Sequence, residues 1–243
     1  MKRLLLLDDA AAVNDLFASL LRAELQIDVV PMASVGELEH FVERGAQFDF
    51  ALVDLSFPEE RRTGMDALLA IHASSPSTVL AVITQGDSFV AQLLREVWEL
   101  LPIATVVSKS APIAFQVAQV RQLVNTGSAP IDPSVQPLLP AARSESRSLA
   151  AFDHLVVHVG HAKLWQALLD SNEDVSYQDV VLATGLRLNT VKNYRAQLLP
   201  ELLNHRLDDP SLREMQAFAS RCRPIFTRLI AQVRERSRAR LAL

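Results

Sequence analysis

The stretch that decides the fold is Phe50-Ala51-Leu52-Val53-Asp54-Leu55, in which a short apolar run ends on a carboxylate. An apolar run of this length predicts a buried strand of a parallel sheet, which delivers the acid at its carboxyl end to the sheet edge. Taken alone, the stretch is also compatible with a strand that leads into a solvated loop. Three further runs favour the first interpretation.

Each of these runs is apolar and is closed by side chains that can carry chemistry. They are Leu4–Leu7 before Asp8 and Asp9, Val79–Ile83 before Thr84, and Ala104–Ser108 before Lys109. A stretch with helical periodicity separates each run from the next. Ligands of an open α/β sheet lie outside the carboxyl ends of its strands, so we expect these side chains to meet at one edge.

Residues 1–125 resemble the receiver domain of two-component response regulators, the CheY-like domain. The resemblance is carried by Leu-Asp-Asp at 7–9, Val-Asp-Leu at 53–55, Ile-Thr at 83–84 and Ser-Lys-Ser-Ala-Pro at 108–112. All four motifs occur in order, at intervals that suit this family. Five strand–helix units in sequence predict a doubly wound α/β domain with a five-stranded parallel sheet.

The resemblance implies that Asp54 is the phosphoacceptor and that a sensor histidine kinase is the partner that phosphorylates it. It also implies a Mg²⁺ site made by Asp8, Asp9, Asp54 and the backbone carbonyl of Ser56. Mg²⁺ prefers oxygen ligands and commonly uses one or two carboxylates together with phosphate and water. The chain is thus expected to be a phosphoacceptor, with at most weak phosphorylation chemistry of its own, and not an enzyme.

Two further residues receive switch roles from the same resemblance. Lys109 pairs with the phosphoryl oxygens, and the Thr84 hydroxyl bonds another of them and so senses phosphorylation. The chain departs from the family at Gln85, where a small residue is usual, and at Val106, where an aromatic side chain often rotates with the hydroxyl. We therefore expect a different coupling to the output.

The totals exclude several classes of protein. With 243 residues the chain can form one or two domains, and 49% apolar with 21% charged residues is ordinary for a globular protein. The single cysteine, Cys222, excludes an internal disulfide framework. No stretch approaches the roughly 18–20 apolar residues of a membrane span. We expect a cytoplasmic protein with no membrane partner.

The second half of the chain has a different composition. Residues 1–125 carry a net charge of −7 and residues 126–243 a net charge of +3, which fits a signalling module joined to one that meets an anionic partner. Four prolines and several serines predict a semi-extended linker over 126–148. Residues 149–243 are predicted to be all-helical. The predicted helices are Leu149–Leu169, Val175–Ala183, Asn189–Leu203 and a final region from Pro210 that is interrupted or bent at Pro224.

Residues 175–203 resemble the helix–turn–helix of LuxR/NarL-type transcription factors. The motifs are Asp-Val-Val at 179–181, Gly-Leu at 185–186 and Asn-Thr-Val-Lys-Asn-Tyr-Arg at 189–195. The resemblance implies a DNA-binding output domain that regulates transcription. The candidate DNA contacts are Asn189, Thr190, Lys192, Asn193 and Arg195. The alternatives are an ordinary amphipathic helix and a module that binds protein or RNA.

Three features of the second half are left open. We expect a homodimer, because two half-sites multiply a modest affinity, with its interface on Leu149–Leu169 or on the carboxyl-terminal helix. His154, His158 and His161 recur at a spacing that can bind a metal, but no acid or cysteine pattern supports them, so we interpret them as packing or surface residues. The arginine-rich segment 221–240 is interpreted first as a solvated basic face and next as a contact for the DNA backbone.

Overall fold

The computed structural model describes residues 1–142, 148–171 and 174–241, without the side chains of residues 88, 89, 240 and 241. It divides into two compact units, Met1–Arg143 and Ser144–Leu243. Each unit is described by itself. The parts of the predicted linker and output domain that fall on 143–147, 172–173 and 242–243 lie outside the described residues.

The first unit is built on a parallel sheet of five strands. In chain order these are β1 Arg3–Leu7, β2 Asp28–Met32, β3 Phe50–Asp54, β4 Val79–Thr84 and β5 Ile103–Ser108. Their spatial order is β2-β1-β3-β4-β5, so β3 is central and β2 and β5 form the edges. This is the strand order of the flavodoxin-like and CheY-like doubly wound fold. The predicted α/β fold class is confirmed.

Five helices alternate with these strands. They are α1 Ala11–Leu25, α2 Val35–Glu43, α3 Gly64–Ser74, α4 Ser88–Leu100 and α5 Ile113–Thr126. The central strand is buried along its whole length, from Phe50 to Asp54. One cluster of buried side chains joins β1, β3, α1 and α5, including Leu6, Leu52 and Val120. The burial of both sheet faces explains why the strands are uninterrupted apolar runs.

The end of β2 was predicted wrongly. The sequence predicts a strand over Ile27–Val30 that Pro31 ends, but the strand continues through Pro31 to Met32, with Pro31 in register with Leu6. Proline has no N–H to donate, yet it is tolerated in an edge strand, where one side of the strand needs no partner. The sequence does not state which strands are edges, so the strand's end could not be predicted.

The linker prediction for 126–148 is wrong for its first part. Helix α5 runs to Thr126, and residues 127–142 lie within the first unit. Residues 129–139, here called the strap, make side-chain and backbone hydrogen bonds to this unit, and Val135 is buried. The strap includes a short 3-10 helix, Gln136–Leu138. Prolines made this segment non-helical, but they did not prevent it from packing.

The second unit is all-helical, as predicted. Its elements are a 3-10 helix Leu149–Leu155 followed by α6 Val159–Asp170, α7 Tyr177–Thr184, α8 Leu188–Asn204, α9 Leu212–Arg221 and α10 Arg223–Leu241. The single long helix predicted for Leu149–Leu169 is wrong. His158 has an extended backbone, and its ring nitrogen Nδ1 accepts hydrogen bonds from the N–H groups of Gly160 and His161. A side chain that caps a helix in this way fixes the start of α6 after residue 158.

An aromatic core holds the second unit together. Phe152, Trp165, Phe218 and Phe226 are fully or almost fully buried and contact one another. The indole of Trp165 donates to the Leu155 carbonyl at 2.8 Å, which ties the 3-10 helix to α6. The apolar side chains of α10, from Ile225 to Val233, are buried in the same unit. Apart from the exposed Val157, the two segments suggested for the homodimer interface therefore bury most of their apolar side chains within the unit.

Within the parts of the chain that the structure describes, none of the helices is both long enough and apolar enough to cross a membrane.

Candidate functional site

The carboxyl edge of the sheet brings together two carboxylates and one amine. The Nζ atom of Lys109 lies 2.7 Å from Oδ2 of Asp8 and 2.7 Å from Oδ2 of Asp54. Asp8 follows β1, Asp54 ends β3 and Lys109 follows β5, so three separate strands supply the site. Asp8 and Asp54 are buried, which strengthens the attraction that each exerts on the ammonium group.

Asp9 completes a cluster of three acids. Ligand oxygens of Asp8, Asp9 and Asp54 all lie within 4.8 Å of one another, and this is the only group of three or more potential metal ligands in the described part of the chain. Asp9 itself is exposed. Three carboxylates at such distances match the hard oxygen ligands that Mg²⁺ requires. Ser56, two residues after Asp54, is half-buried at the start of the loop that follows β3.

Burial and charge act in opposite directions on the two central groups. Burial raises the pKa of Asp54, and the charge and hydrogen bond of Lys109 only partly offset this effect. Burial opposes the charged form of Lys109, but the attraction of Asp54 and Asp8 prevails and holds its pKa above the usual value. Lys109 is therefore a fixed positive charge at neutral pH, and further positive charge beside Asp54 would favour its ionised form.

Thr84 lies at the end of the neighbouring strand β4 and is buried. Its hydroxyl oxygen accepts a hydrogen bond from the backbone N–H of Gly86 at 3.1 Å. Its carbonyl oxygen accepts from the N–H of Lys109 at 2.8 Å. Thr84 is thus hydrogen-bonded both to the backbone of Lys109 and to the loop between β4 and α4. Gln85, the residue noted as unusual in the sequence, is exposed in that loop.

Several residues that position the site were not identified from the sequence. The Asn14 amide donates to three carbonyls, with its shortest bond, 2.8 Å, to Met32, and so joins the ends of β1 and β2. The amide of Gln116 donates to the carbonyls of Lys109 and Ala111, which fixes the turn that carries the amine. Both are polar residues near the starts of helices. Only their burial in the folded unit distinguishes them from other polar residues of these helices, and the sequence does not show that burial.

Gly64 is required by its contact with the end of strand β3. A Cβ atom placed on this residue would lie 1.9 Å from the carbonyl oxygen of Asp54 and 2.8 Å from the Cα atom of Leu55. Its own N–H donates to the Leu55 carbonyl at 3.2 Å. The start of α3 can therefore approach the end of β3 only if residue 64 has no side chain. The glycine is visible in the sequence, but this contact is not.

The second unit presents a polar helix face. α7 ends at Thr184, Gly185 follows with a positive φ of 69°, and α8 begins at Leu188, so a three-residue turn joins the two helices. On α8, Asn189, Lys192 and Asn193 are exposed and Thr190 is half-buried, whereas Val191 and Leu198 are buried. One face of α8 packs and the opposite face carries amide and cationic groups, as a helix that reads a DNA groove requires.

Arg195 has a different position from the other predicted DNA contacts. Its guanidinium lies 2.5 Å from Oδ1 of Asp209 and donates to the carbonyls of Pro210 and Asp209. Its side chain is 20% exposed. This contact holds the loop between α8 and α9, in which Asp209 has a positive φ of 42°. Arg195 therefore stabilises the helical unit and does not belong to the exposed face.

The histidines predicted to lie on one helix are separated by the start of α6. His154 lies in the 3-10 helix, whereas His158 and His161 contact each other with ring centroids 4.0 Å apart. Tyr194 of α8 contacts both rings, and Gly160 leaves room for its hydroxyl, which would lie 2.4 Å from an added Cβ atom. These rings join α6 to α8 and have no third metal ligand among the residues described.

Burial, together with the neighbouring His158, lowers the pKa of His161 to about 4. Its Nε2 atom lies 3.3 Å from the amide oxygen of Gln197, a contact that opposes the shift without reversing it. His161 is 5% exposed, so the uncharged ring is the form that fits this packing.

The arginines at 228, 234, 236 and 238 are exposed on α10, which agrees with a solvated basic face.

Solved structures of response regulators resemble the N-terminal half of the chain. A LuxR-family DNA-binding response regulator from Silicibacter pomeroyi is 22% identical, with a TM-score of 0.44, over 55% of this chain and 98% of that one. The receiver domain of RcsB from Salmonella enterica serovar Typhimurium, solved with the phosphomimetic BeF3-, is 20% identical, with a TM-score of 0.48, over 57% and 99%. TrrA from Thermotoga maritima, solved with Mg(2+)-BeF, is 20% identical, with a TM-score of 0.42, over 51% and 99%.

Each of these similarities covers 51–57% of this chain. No protein-family model matches the chain. No curated protein matches it either. Arguments about function therefore depend on the chain's own residues.

Proposed function

We propose that this chain is a response regulator of a two-component system, in which phosphorylation of Asp54 controls DNA binding by the helical unit. The observation that carries the proposal is the pairing of Lys109 with both Asp8 and Asp54, 2.7 Å from each, beside a third acid at the carboxyl edge of the sheet. A lysine held between two buried carboxylates leaves one carboxylate ready to react and a cation ready to bind the group that it receives.

In the proposed reaction an oxygen of Asp54 attacks the phosphorus atom of a donor, which a sensor histidine kinase supplies as phosphohistidine. The new P–O bond forms as the donor's P–N bond breaks, and the electron pair leaves with the imidazole, which takes up a proton. Lys109 pairs with the phosphoryl oxygens, and the Thr84 hydroxyl turns towards one of them. Asp8, Asp9, Asp54 and the Ser56 carbonyl are the ligands proposed for Mg²⁺, which supplies positive charge to the transferring group when bound.

The phosphoacceptor is tested by mass spectrometry of the full chain after treatment with a low-molecular-weight acyl phosphate and Mg²⁺. We expect one added phosphoryl group in the wild type and in Asp15→Asn, a change to an exposed acid on α1. We expect none in Asp54→Asn, and a strong reduction when Mg²⁺ is chelated. Equal labelling of the wild type and Asp54→Asn would reject the assignment.

The exposed face of α8 supports DNA as the partner of the second unit. Lys192 is expected to contact phosphates, so Lys192→Ala should weaken binding to all sequences and reduce the salt dependence by roughly one unit of slope. Asn193 can form a bidentate contact with adenine, so Asn193→Ala should cost about 1–3 kcal/mol and relax the preference at one position. Binding of the phosphorylated full chain to a genomic DNA pool at several salt concentrations measures both effects.

Lys163→Ala is the matched control, because Lys163 is exposed on α6 and outside the proposed recognition face. A second candidate function is binding to a protein, which the 82% exposed Leu182 of α7 favours. A pool that shows no enrichment at low salt, with or without phosphorylation, would replace the DNA hypothesis with this candidate.

We also propose that the regulator acts as a homodimer, because paired half-sites convert a modest affinity into a useful one. The two segments first considered for the interface bury most of their apolar side chains within the unit, with the exposed Val157 as an exception, so they leave little apolar surface for a partner. Sedimentation at high protein concentration, with and without the phosphoryl group, tests this proposal. A monomer in both states would contradict it.

A further inference from the structure

The strap, residues 129–139, covers the free edge of β5. The Asp132 N–H donates to the Val106 carbonyl of β5 at 3.1 Å. The Thr105 hydroxyl and the Gln119 amide both donate to the Pro130 carbonyl, at 2.8 and 2.7 Å. Since β5 pairs only with β4 in the sheet, the bond from Asp132 satisfies one carbonyl of an edge that would otherwise face water, and the bonds to Pro130 hold the strap beside it.

The strap also has an ordered structure of its own. Oδ1 of Asp132 accepts hydrogen bonds from the N–H and the hydroxyl of Ser134, at 2.9 and 2.7 Å, which closes a tight turn. This turn directs Val135 inwards, where it is 1% exposed. Arg95 of α4 then donates to the Leu138 carbonyl at 2.8 Å. The segment is therefore bound to β5, α4 and α5 by specific contacts.

Val135 and Leu138 lie close to Gly86, in the loop that follows Thr84. A Cβ atom on Gly86 would lie 3.2 Å from Cγ1 of Val135 and 3.3 Å from Cδ1 of Leu138. Gly86 has a φ of +76°, which side-chain-bearing residues rarely adopt, and its N–H is the donor to the Thr84 hydroxyl oxygen. A short series of direct contacts thus joins Thr84 to the strap through a single glycine.

We propose that the strap is the output device of the first unit, released from β5 and Gly86 when the Thr84 hydroxyl moves. This inference rests on the proposed function, in which a phosphoryl group on Asp54 draws the Thr84 hydroxyl towards it. That movement removes the hydrogen bond that holds Gly86 in its left-handed conformation. The loop shifts, and the contacts of Val135 and Leu138 with it are lost.

Release would change the length of the chain that leads to the helical unit. The strap holds 11 residues, 129 to 139, against the first unit. An extended chain spans at most about 3.3–3.6 Å per residue, so the freed strap could itself span roughly 36–40 Å. The reach of the connection would grow by the difference between this length and the distance that the bound strap spans. The proposal thus gives a physical route from Asp54 to the second unit that needs no aromatic side chain at Val106.

Hydrogen exchange of the full chain, followed by mass spectrometry, tests the proposal. In the first arm the protein is treated with acyl phosphate and Mg²⁺, and phosphoryl uptake is recorded in the same samples as exchange in peptides covering 129–142. We expect exchange in the strap to rise about tenfold, within the range of typical coupling between sites, while the β1 peptide stays protected. Uptake without faster exchange would overturn the strap inference and leave the phosphoacceptor function intact.

The second arm needs no phosphoryl group. Thr84→Val has the same shape as threonine but cannot accept the bond from Gly86, whereas Thr84→Ser can. We expect faster strap exchange in Thr84→Val and wild-type exchange in Thr84→Ser. Equal exchange in all three proteins would overturn the inference. If the wild type takes up no phosphoryl group, the proposed function fails and this arm alone decides whether Thr84 controls the strap.

The third arm uses the reciprocity of coupling. If phosphorylation loosens the strap, loosening the strap must favour phosphorylation at equilibrium with a reversible phosphohistidine donor. Val135→Ser removes the buried anchor, and Gln136→Ser changes the exposed neighbour. We expect a larger phosphorylated fraction at equilibrium in Val135→Ser than in Gln136→Ser. Equal fractions, together with loosened strap peptides in Val135→Ser, would count against coupling between the two sites.

Discussion

Acid should destabilise the helical unit in part through one buried ring, that of His161. The pKa of this ring is lowered to about 4 by burial, with His158 beside it, whereas an unfolded histidine titrates near 6.5. Below pH 6.5 the unfolded chain therefore binds a proton that the folded unit excludes. The contribution of the neutral ring is fully present above pH 6.5 and is lost as the pH falls towards 4.

The magnitude follows from the two pKa values. Between pH 7.5 and pH 5 the linkage relation gives a loss of about 2 kcal/mol, and at pH 4 the loss reaches about 3 kcal/mol. Losses of this size are a substantial part of the stability of a small domain, about 5–15 kcal/mol. His161→Gln cannot take up this proton, so its free energy of unfolding should fall by about 2 kcal/mol less over the same interval.

Urea unfolding of the full chain measures this difference. Trp165 is completely buried in the same aromatic core, and its fluorescence reports the second unit. Trp98 belongs to α4 of the first unit, so both proteins carry Trp98→Phe to remove its signal. Acid effects at other groups occur in both proteins and cancel in the comparison. Parallel loss of stability in both proteins from pH 7.5 to 5 would refute the assignment to His161.

Two further substitutions follow from close contacts. Gly64→Ala should destabilise the first unit by at least about 1–3 kcal/mol and reduce phosphoryl uptake, because its Cβ atom would collide with the backbone of β3. Gly36→Ala is the control, because an added Cβ atom has room there and should change neither stability nor uptake in this way. Arg195→Ala should cost about 1–3 kcal/mol of stability through the lost contacts with its loop, whereas Lys192→Ala should change stability by less than about 0.5 kcal/mol. Thermal unfolding measures both pairs.

The receiver fold was predictable because its signals are local. Each strand is an apolar run, and the chemistry of Asp54 and Lys109 lies directly at strand ends, which the topology gathers at one edge. The long helix was predicted wrongly because Phe152 and Leu155 are three residues apart, a spacing that α- and 3-10 helices share. The helical cap made by His158 could not be read from that periodicity.

The remaining differences concern contacts between residues distant in the chain. Arg195 was included among the DNA contacts because of its motif, but its carboxylate partner, Asp209, lies beyond the end of the helix. Composition predicted correctly that 127–142 is non-helical, apart from its short 3-10 helix. It did not predict that this segment packs on the first unit, because the bonds from Thr105 and Gln119 to Pro130 form only in the folded sheet. The sequence shows that residue 64 is a glycine, but it does not show that the Asp54 carbonyl lies too close for any side chain there.

Proline at both borders of the sheet has a consequence for self-association. The outermost strand on one side contains Pro31, and the other side is lined by a strap that includes Pro130, Pro133 and Pro137. Residues without an N–H group cannot donate to an incoming strand, so neither border offers a continuous ladder for strand addition. The first unit is therefore protected from edge-to-edge polymerisation, and a variant with an unattached strap should be more prone to aggregate than the wild type.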